Sequence, residues 1–350
     1  MAEPHTRKHE IMAATPFPNV LIDIVVQYEE DVVYMVANKQ IHRYSVDADT
    51  GVLYLVHHSR RPCSYDPVQT LCLSVDHRVL YSGHRSGKLR VYDVDTLKQT
   101  NEVQVKGVDN VNSICVAPAE WVGACGTHHQ NLYCHVVAPL YDTVLPSTRF
   151  GSMIGLYNQH LLTMGVTSTR KWIICCQGQV CAFPEYSVTP RGAVHYRHAT
   201  PVTAAALCDT LLIVATVTGE IHCIDTEALM VENDSIVCRG IALFANVHAM
   251  VVSSDKKFLY VAGEIATMGL GPIRLDIRVY SLVDFKLTDH WVVSDALLYD
   301  KQVSVLQVGR DSLYLYGTLV CDTDCALVRW DTVTHECTKL GACDGPWLVI

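Results

Sequence analysis

The chain repeats itself. A strand-like run that ends in a large or apolar residue and then turns polar occurs as "NKQIHRYSVDADT" (38–50), "SGKLRVYDVDT" (86–96), "TGEIHCIDTEA" (218–228), "RLDIRVYSLVD" (274–284) and "CALVRWDTVT" (325–334). Two weaker members, "HQNLYCHVV" (129–137) and "QGQVCAFPE" (177–185), fit the same frame. The landmark position reads Tyr44, Tyr92, His135, Phe183, Ile224, Tyr280 and Trp330, at spacings of 41 to 56 residues. Self-similarity at such a period signals a repeat architecture, in which no single unit buries its own apolar surface.

Upstream of each landmark lies an apolar strand, a turn and a second strand. "VQTLCLSVDHRVLYSG" (68–83) and "VHAMVVSSDKKFLYVAG" (247–263) are the clearest. Apolar runs of four to eight residues rich in Val, Ile, Leu and Tyr recur between turn residues, and amphipathic stretches of helical length are missing. Each unit therefore reads as four strands, and seven units fill the chain.

The strand-and-turn outline resembles the WD40-repeat β-propellers over about residues 19–340. "RVYDVDT" and "VRWDT" match the family's third-strand signature, "SSDKKFLYVAGE" its first hairpin, and His198 stands where a Gly-His pair commonly precedes the first strand. Only Trp330-Asp331 among the landmarks is a true Trp-Asp pair; Tyr92-Asp93 stands in the same place. The resemblance implies an all-β, seven-bladed propeller with four antiparallel strands per blade. Residues 1–18 are then an N-terminal tail or ring-closing strand, and 341–350 a C-terminal tail. Residues 9–17 and 335–340 both offer a strand for the last blade. Gly83-His84 lies only eight residues before Tyr92, which places His84 in a turn, facing solvent.

Composition narrows the function. The 350 residues carry a formal charge of −9, with 18% charged and 49% apolar residues. That is enough to bury a core, and no basic block marks a nucleic-acid surface. "TPVTAAALCDTLLIVATVTG" (200–219) has the length of a membrane span, but Pro201 and the Cys208-Asp209-Thr210 break read better as two strands joined by a turn. The 15 cysteines are odd in number and sit mostly in apolar runs. With no secretory signal in residues 1–18, they read as reduced core residues.

The candidates for chemistry are few. "CGTHHQNLYCH" offers Cys125, His128, His129, Cys134 and His135 as soft metal ligands. Strand alternation sends Cys134 and His135 to opposite faces, so no zinc site is expected. Cys175-Cys176 reads as a buried strand before a Gln177-Gly178 turn, and Cys321 and Cys325 as flanks of a surface turn. Phosphate loops and nucleophile elbows are missing: "GHRSGK" runs on into a strand, and "MGLGPI" in the long 264–274 loop opens no helix. No catalytic, cofactor-binding or metal-binding residue is assigned.

The expected role is a non-catalytic protein–protein interaction scaffold, a subunit of a larger intracellular assembly in cytoplasm or nucleus. A peptide-motif reader at the channel mouth is the alternative, ahead of an enzyme or a zinc protein. Arg85 and Tyr65 are plausible anchor residues, and the long segment 138–159 is a further place for recognition.

Overall fold

Among the described residues the apolar runs between turns become strands. The structure is a computed structural model. It describes residues 21–344 except 28–31, 38–39, 48–52, 60–65, 106, 118–121, 129–130, 138–152, 158–160, 185–193, 198–199, 231–235, 242–243, 266–273, 294–301, 310–311 and 321–323. Among the described residues, twenty-eight strands form seven four-stranded antiparallel sheets, each made of four consecutive strands. The blades span residues 21–58, 68–104, 110–157, 161–197, 202–241, 246–292 and 302–344.

The innermost strand of each blade touches that of the next, and the seventh touches the first, so the sheets close into a ring. The last blade draws all four strands from 302–344, ending in Cys337–Asp344. Among the described residues the ring therefore closes by packing one blade face on another, without strand exchange. The closing contact sets Ile24, Val26 and Met35 of blade 1 against Tyr316 and Leu327 of blade 7.

Inter-blade faces are where the core sits. Val32, Tyr34 and Ile41 of blade 1 pack on Leu71, Leu80 and Tyr92 of blade 2. Leu275, Ile277 and Trp291 of blade 6 meet Val303, Leu315 and Trp330 of blade 7. Both faces of the second strand are covered, which explains runs such as "VLYSGH" and "LLIVAT" whose last five residues are all buried. Outer strands lose that cover, and the one in blade 2, "QTNEVQ", turns polar.

Six of the seven landmarks share one register relative to the inner strand; in blade 3 that place falls to Val137, opposite Val122, two residues past His135. Tyr44, Tyr92, His135, Phe183, Ile224, Tyr280 and Trp330 lie opposite Val33, Leu80, Ala124, Trp172, Leu212, Leu259 and Leu315 of their second strands. Where the side chain is described the landmark is buried, Trp330 completely. The residue after it closes the hairpin to the outer strand. Asp93 Oδ1 accepts from Thr96 N and Oγ1, and Asp331 Oδ1 from Val333 N and Thr334 N. Leu97, Phe285 and His335 take positive φ at equivalent places in these turns. The aromatic–aspartate pair thus joins an inter-blade wedge to a turn former.

A second repeat is geometric. In all seven blades the first-to-second pairing slips by one residue near the start of the inner strand, at Gln69, Asn112, Thr203 and His248 among others, while the second-to-third pairing never slips. An extra residue there sharpens the twist where strands crowd toward the axis. The stretch 200–219 forms two such strands, Val202–Cys208 and Leu211–Thr216, joined at Asp209 in positive φ.

Trp330→Ala should cost about 3–5 kcal/mol by opening a cavity between blades 6 and 7. Asp331→Ala should cost about 1 kcal/mol through its lost turn bonds. Urea unfolding of the two variants checks the order; equal losses would contradict the assignment of wedge and turn former.

Candidate interaction surface

The antiparallel pattern sets two rims. One carries the turns between first and second strands and between third and outer strands; the other carries the second-to-third turns and the links between blades.

On the first rim, Ser-x-Asp turns repeat. Ser74 Oγ donates to Asp76 Oδ1 and accepts from Val79 N, and Ser253 does the same with Asp255 and Phe258 N. Neighbouring blades are tied at this level. Lys256 Nζ lies 2.6 Å from Asp209 Oδ1, Ser254 Oγ 3.0 Å from Ser312 Oγ, and Lys171 pairs with Glu227. His335 Nε2 lies 2.9 Å from Asp289 Oδ2 while its ring stacks on Trp291 at 4.4 Å. Exposed pairs of this kind add little stability singly; they fix where the turns stand. Between blades 4, 5 and 6 the inner-strand ends Val166, Leu207 and Val252, with Thr167, Ser253 and Lys256, line a groove of about 460 Å³. At the turn tips Val283 and Val333 are 88% and 74% exposed.

The second rim holds the main buried polar network. His84 ends the strand Val79–His84, and its side chain is fully buried. This corrects the expectation of a solvent-facing turn: the turn begins one residue later, at Arg85. His84 Nδ1 lies 3.0 Å from the Asp66 carbonyl oxygen and Nε2 2.7 Å from Ser82 Oγ. The carbonyl can only accept, so Nδ1 carries the proton and Nε2 accepts from the hydroxyl. Arg90 spans Asp66 Oδ2 at 2.9 Å and Glu102 Oε2 at 2.7 Å, and Glu102 also takes Lys88 Nζ at 2.6 Å. Gly83 is required beside it, because a Cβ there would come within 2.6 Å of Val111 Cγ1 and 2.9 Å of Val111 O in blade 3. The pair is a blade-2-to-blade-3 packing device, not a ligand set.

The metal and thiol candidates resolve as strand residues. Cys134 lies opposite Cys125 and His135 opposite Ala124, consecutive positions that alternate across the sheet. Cys125 is buried and disulfide-bonded, which the reading of the cysteines as reduced core residues does not anticipate. Its sulfur also lies 3.3 Å from Met164 Sδ in blade 4. His128 closes its strand at Val122–His128, and His129 is outside the described residues. Among the described residues no three His, Cys, Asp or Glu side chains gather to hold a metal.

Cys175 and Cys176 end the strand Lys171–Cys176 and are fully buried before the turn at 177–178. Burial pushes the Cys176 thiol up to about 12 and Cys175 higher still, which keeps both protonated. Cys325 lies in the strand Asp324–Asp331. Arg85 is an exposed turn residue, while Tyr65, His198, Cys321 and most of the 138–159 and 264–274 segments fall outside the described residues.

No protein-family model matches the sequence, and no curated protein matches it. Solved structures do. A chain of the crystal structure of the mitotic checkpoint complex aligns with a TM-score of 0.61 and 16% identity over 86% of each chain. Saccharomyces cerevisiae Sqt1 aligns with a TM-score of 0.60 and 11% identity, over 94% of this chain and 86% of its own. At such identities the likeness is one of fold, and the fold is a β-propeller.

Burial holds the His84 pKa below its ordinary value. The unfolded chain then takes up that proton first, so the contribution is complete above about pH 6.5 and declines as the pH falls below it. Asp23, pushed up to about 6 by burial, acts in the opposite sense. Comparing His84→Gln with the parent isolates the histidine. Between about pH 7.5 and about pH 5.5 the parent should lose more unfolding free energy in urea than the variant. Parallel losses would refute a buried neutral imidazole.

Proposed function

We propose that this propeller is a non-catalytic scaffold that holds protein partners within a larger assembly. The observation that carries this reading is the first rim: turns tied blade to blade, with large apolar side chains, Val283 and Val333, held out in water. Exposed valines at rigid, adjacent tips have no role in the ring's own core, and covering them by a partner recovers the hydrophobic energy the fold leaves unused. One of the similar solved chains belongs to the mitotic checkpoint complex, which is in keeping with such a role.

A second reading is favoured by one feature. The groove beside Val166, Leu207 and Val252 is large enough for side chains of a short peptide, which suits a reader of linear motifs.

The two readings part experimentally. Affinity purification of the full chain at native abundance should return partners that stay bound through size exclusion, and Val283→Glu/Val333→Glu should lose them with an unchanged melting temperature. Recovery of the bare monomer would sink the scaffold reading. Partner loss on Leu207→Glu alone, with the valine pair indifferent, would favour the motif reader.

A further inference from the structure

Outer strands of a propeller are edges, and an unprotected edge is a template for another strand. Most edges here are guarded. Gln99–Gln104 carries Glu102, locked to Lys88 and Arg90; Leu287–Val292 carries Asp289; Cys337–Asp344 carries Lys339 and Asp344. Two outer strands contain no Asp, Glu, Lys, Arg or Pro: Met153–Tyr157 of blade 3, "MIGLY", and Leu53–His58 of blade 1, "LYLVHH", whose side chains are described.

Its exposure is of the same unusual kind. Tyr54, Leu55 and Val56 are consecutive, 42%, 39% and 41% exposed. Successive residues of a strand face opposite sides, so the edge is apolar and open on both faces. Its sheet order places the third strand of the blade on one side, and among the described residues no strand lies on the other. Besides the Tyr54 phenol, the strand's ionisable groups are His57 and His58, both exposed, opposite Arg43 and His42 in register. All four are basic or neutral, and Arg43 Nη2 already lies 3.6 Å from Asp95 Oδ1 of blade 2, which leaves the attraction to the histidines. The edge thus offers backbone pairing along its length, apolar cover on both sides, and electrostatic attraction only for a carboxylate at the His57–His58 end.

We propose that this edge takes up an extended segment of a partner protein as a fifth strand of blade 1. The segment is apolar on both faces and carries an acidic residue beside His57 and His58. The proposal rests on the scaffold reading and names one of its docking places. Main-chain bonds would supply affinity, and the alternating side chains and the carboxylate would supply selectivity.

A displayed library of short random peptides, panned on the full-length protein, tests it. Recovered peptides should share alternating apolar residues with Asp or Glu toward one end. Binding should fall by about tenfold or more on Tyr54→Lys/Val56→Lys, and hydrogen exchange should slow at 53–58 when a recovered peptide is bound. Peptides enriched in basic residues, protection elsewhere, or binding that survives the double substitution would overturn the proposal, as would a dimer of this chain that buries the edge. The melting temperature of the double variant guards against misfolding. The two readings fail separately: partners that remain bound to Tyr54→Lys/Val56→Lys in affinity purification sink the edge alone, whereas a parent chain without partners sinks the scaffold.

Discussion

The structure depends on one contact made seven times: the apolar face of one blade against the apolar face of the next. A four-stranded sheet of six- or seven-residue strands cannot stand alone with both faces greasy. Placed side by side around an axis, seven such sheets bury each other's faces and leave no long sheet edge toward the core. The landmark residue sits in this contact, and Trp330, with no exposed surface, is its largest example. The twist needed to fan the sheets comes from the slip in every inner strand, where one extra residue bends the pairing. Burial and bulge are thus two halves of one solution: the first makes closure favourable, the second makes it geometrically possible.

Closure itself uses the same contact and no special device among the described residues. Ile24 and Met35 meet Tyr316 and Leu327 as any other pair of blades would meet. The last strand runs to Asp344, so the final blade is complete from its own end of the chain. Ring integrity is then a question of side-chain packing, and the rim pairs such as Lys256–Asp209 only refine the positions of turns already brought together.

Much of this was legible in the sequence, and the illegible parts have physical causes. The seven landmarks could be aligned because a third strand must place one large residue in the inter-blade wedge and follow it with a turn. Six fall in one register, even Phe183, whereas in blade 3 the equivalent place belongs to Val137, two residues past His135. The inner-strand slip left no trace, because one extra residue breaks period-two alternation, as in Val68-Gln69-Thr70-Leu71, where buried, half-buried, buried and buried residues follow in turn. His84 was misplaced for a related reason. A glycine followed by a histidine reads as a turn, yet Gly83 is small because blade 3 presses on it, and His84 is polar because Asp66 and Ser82 are there to receive it. Val111 and Asp66 are too far along the chain to announce themselves, and Ser82, two residues away, does not by itself mark a buried histidine. The Cys125 disulfide was equally hidden: its sequence context is that of a buried thiol.

The division of labour between core and surface follows from the same geometry. Because each blade spends its faces on its neighbours, only turns and outer edges remain to meet other molecules. Turns are cheap to vary, since each is fixed by local bonds such as those of Ser74 with Asp76 or Asp331 with Thr334. Edges are harder to leave bare, for an open strand pairs with whatever matches it. A chain that guards the outer strand of blade 2 with Glu102, Lys88 and Arg90 yet leaves Tyr54, Leu55 and Val56 exposed in blade 1 treats two equivalent positions differently. The ring has no structural need for that difference, since both strands lie outside the inter-blade core. Its physical consequence is directional: charged side chains oppose strand pairing at the edge of blade 2, and none does so at the edge of blade 1.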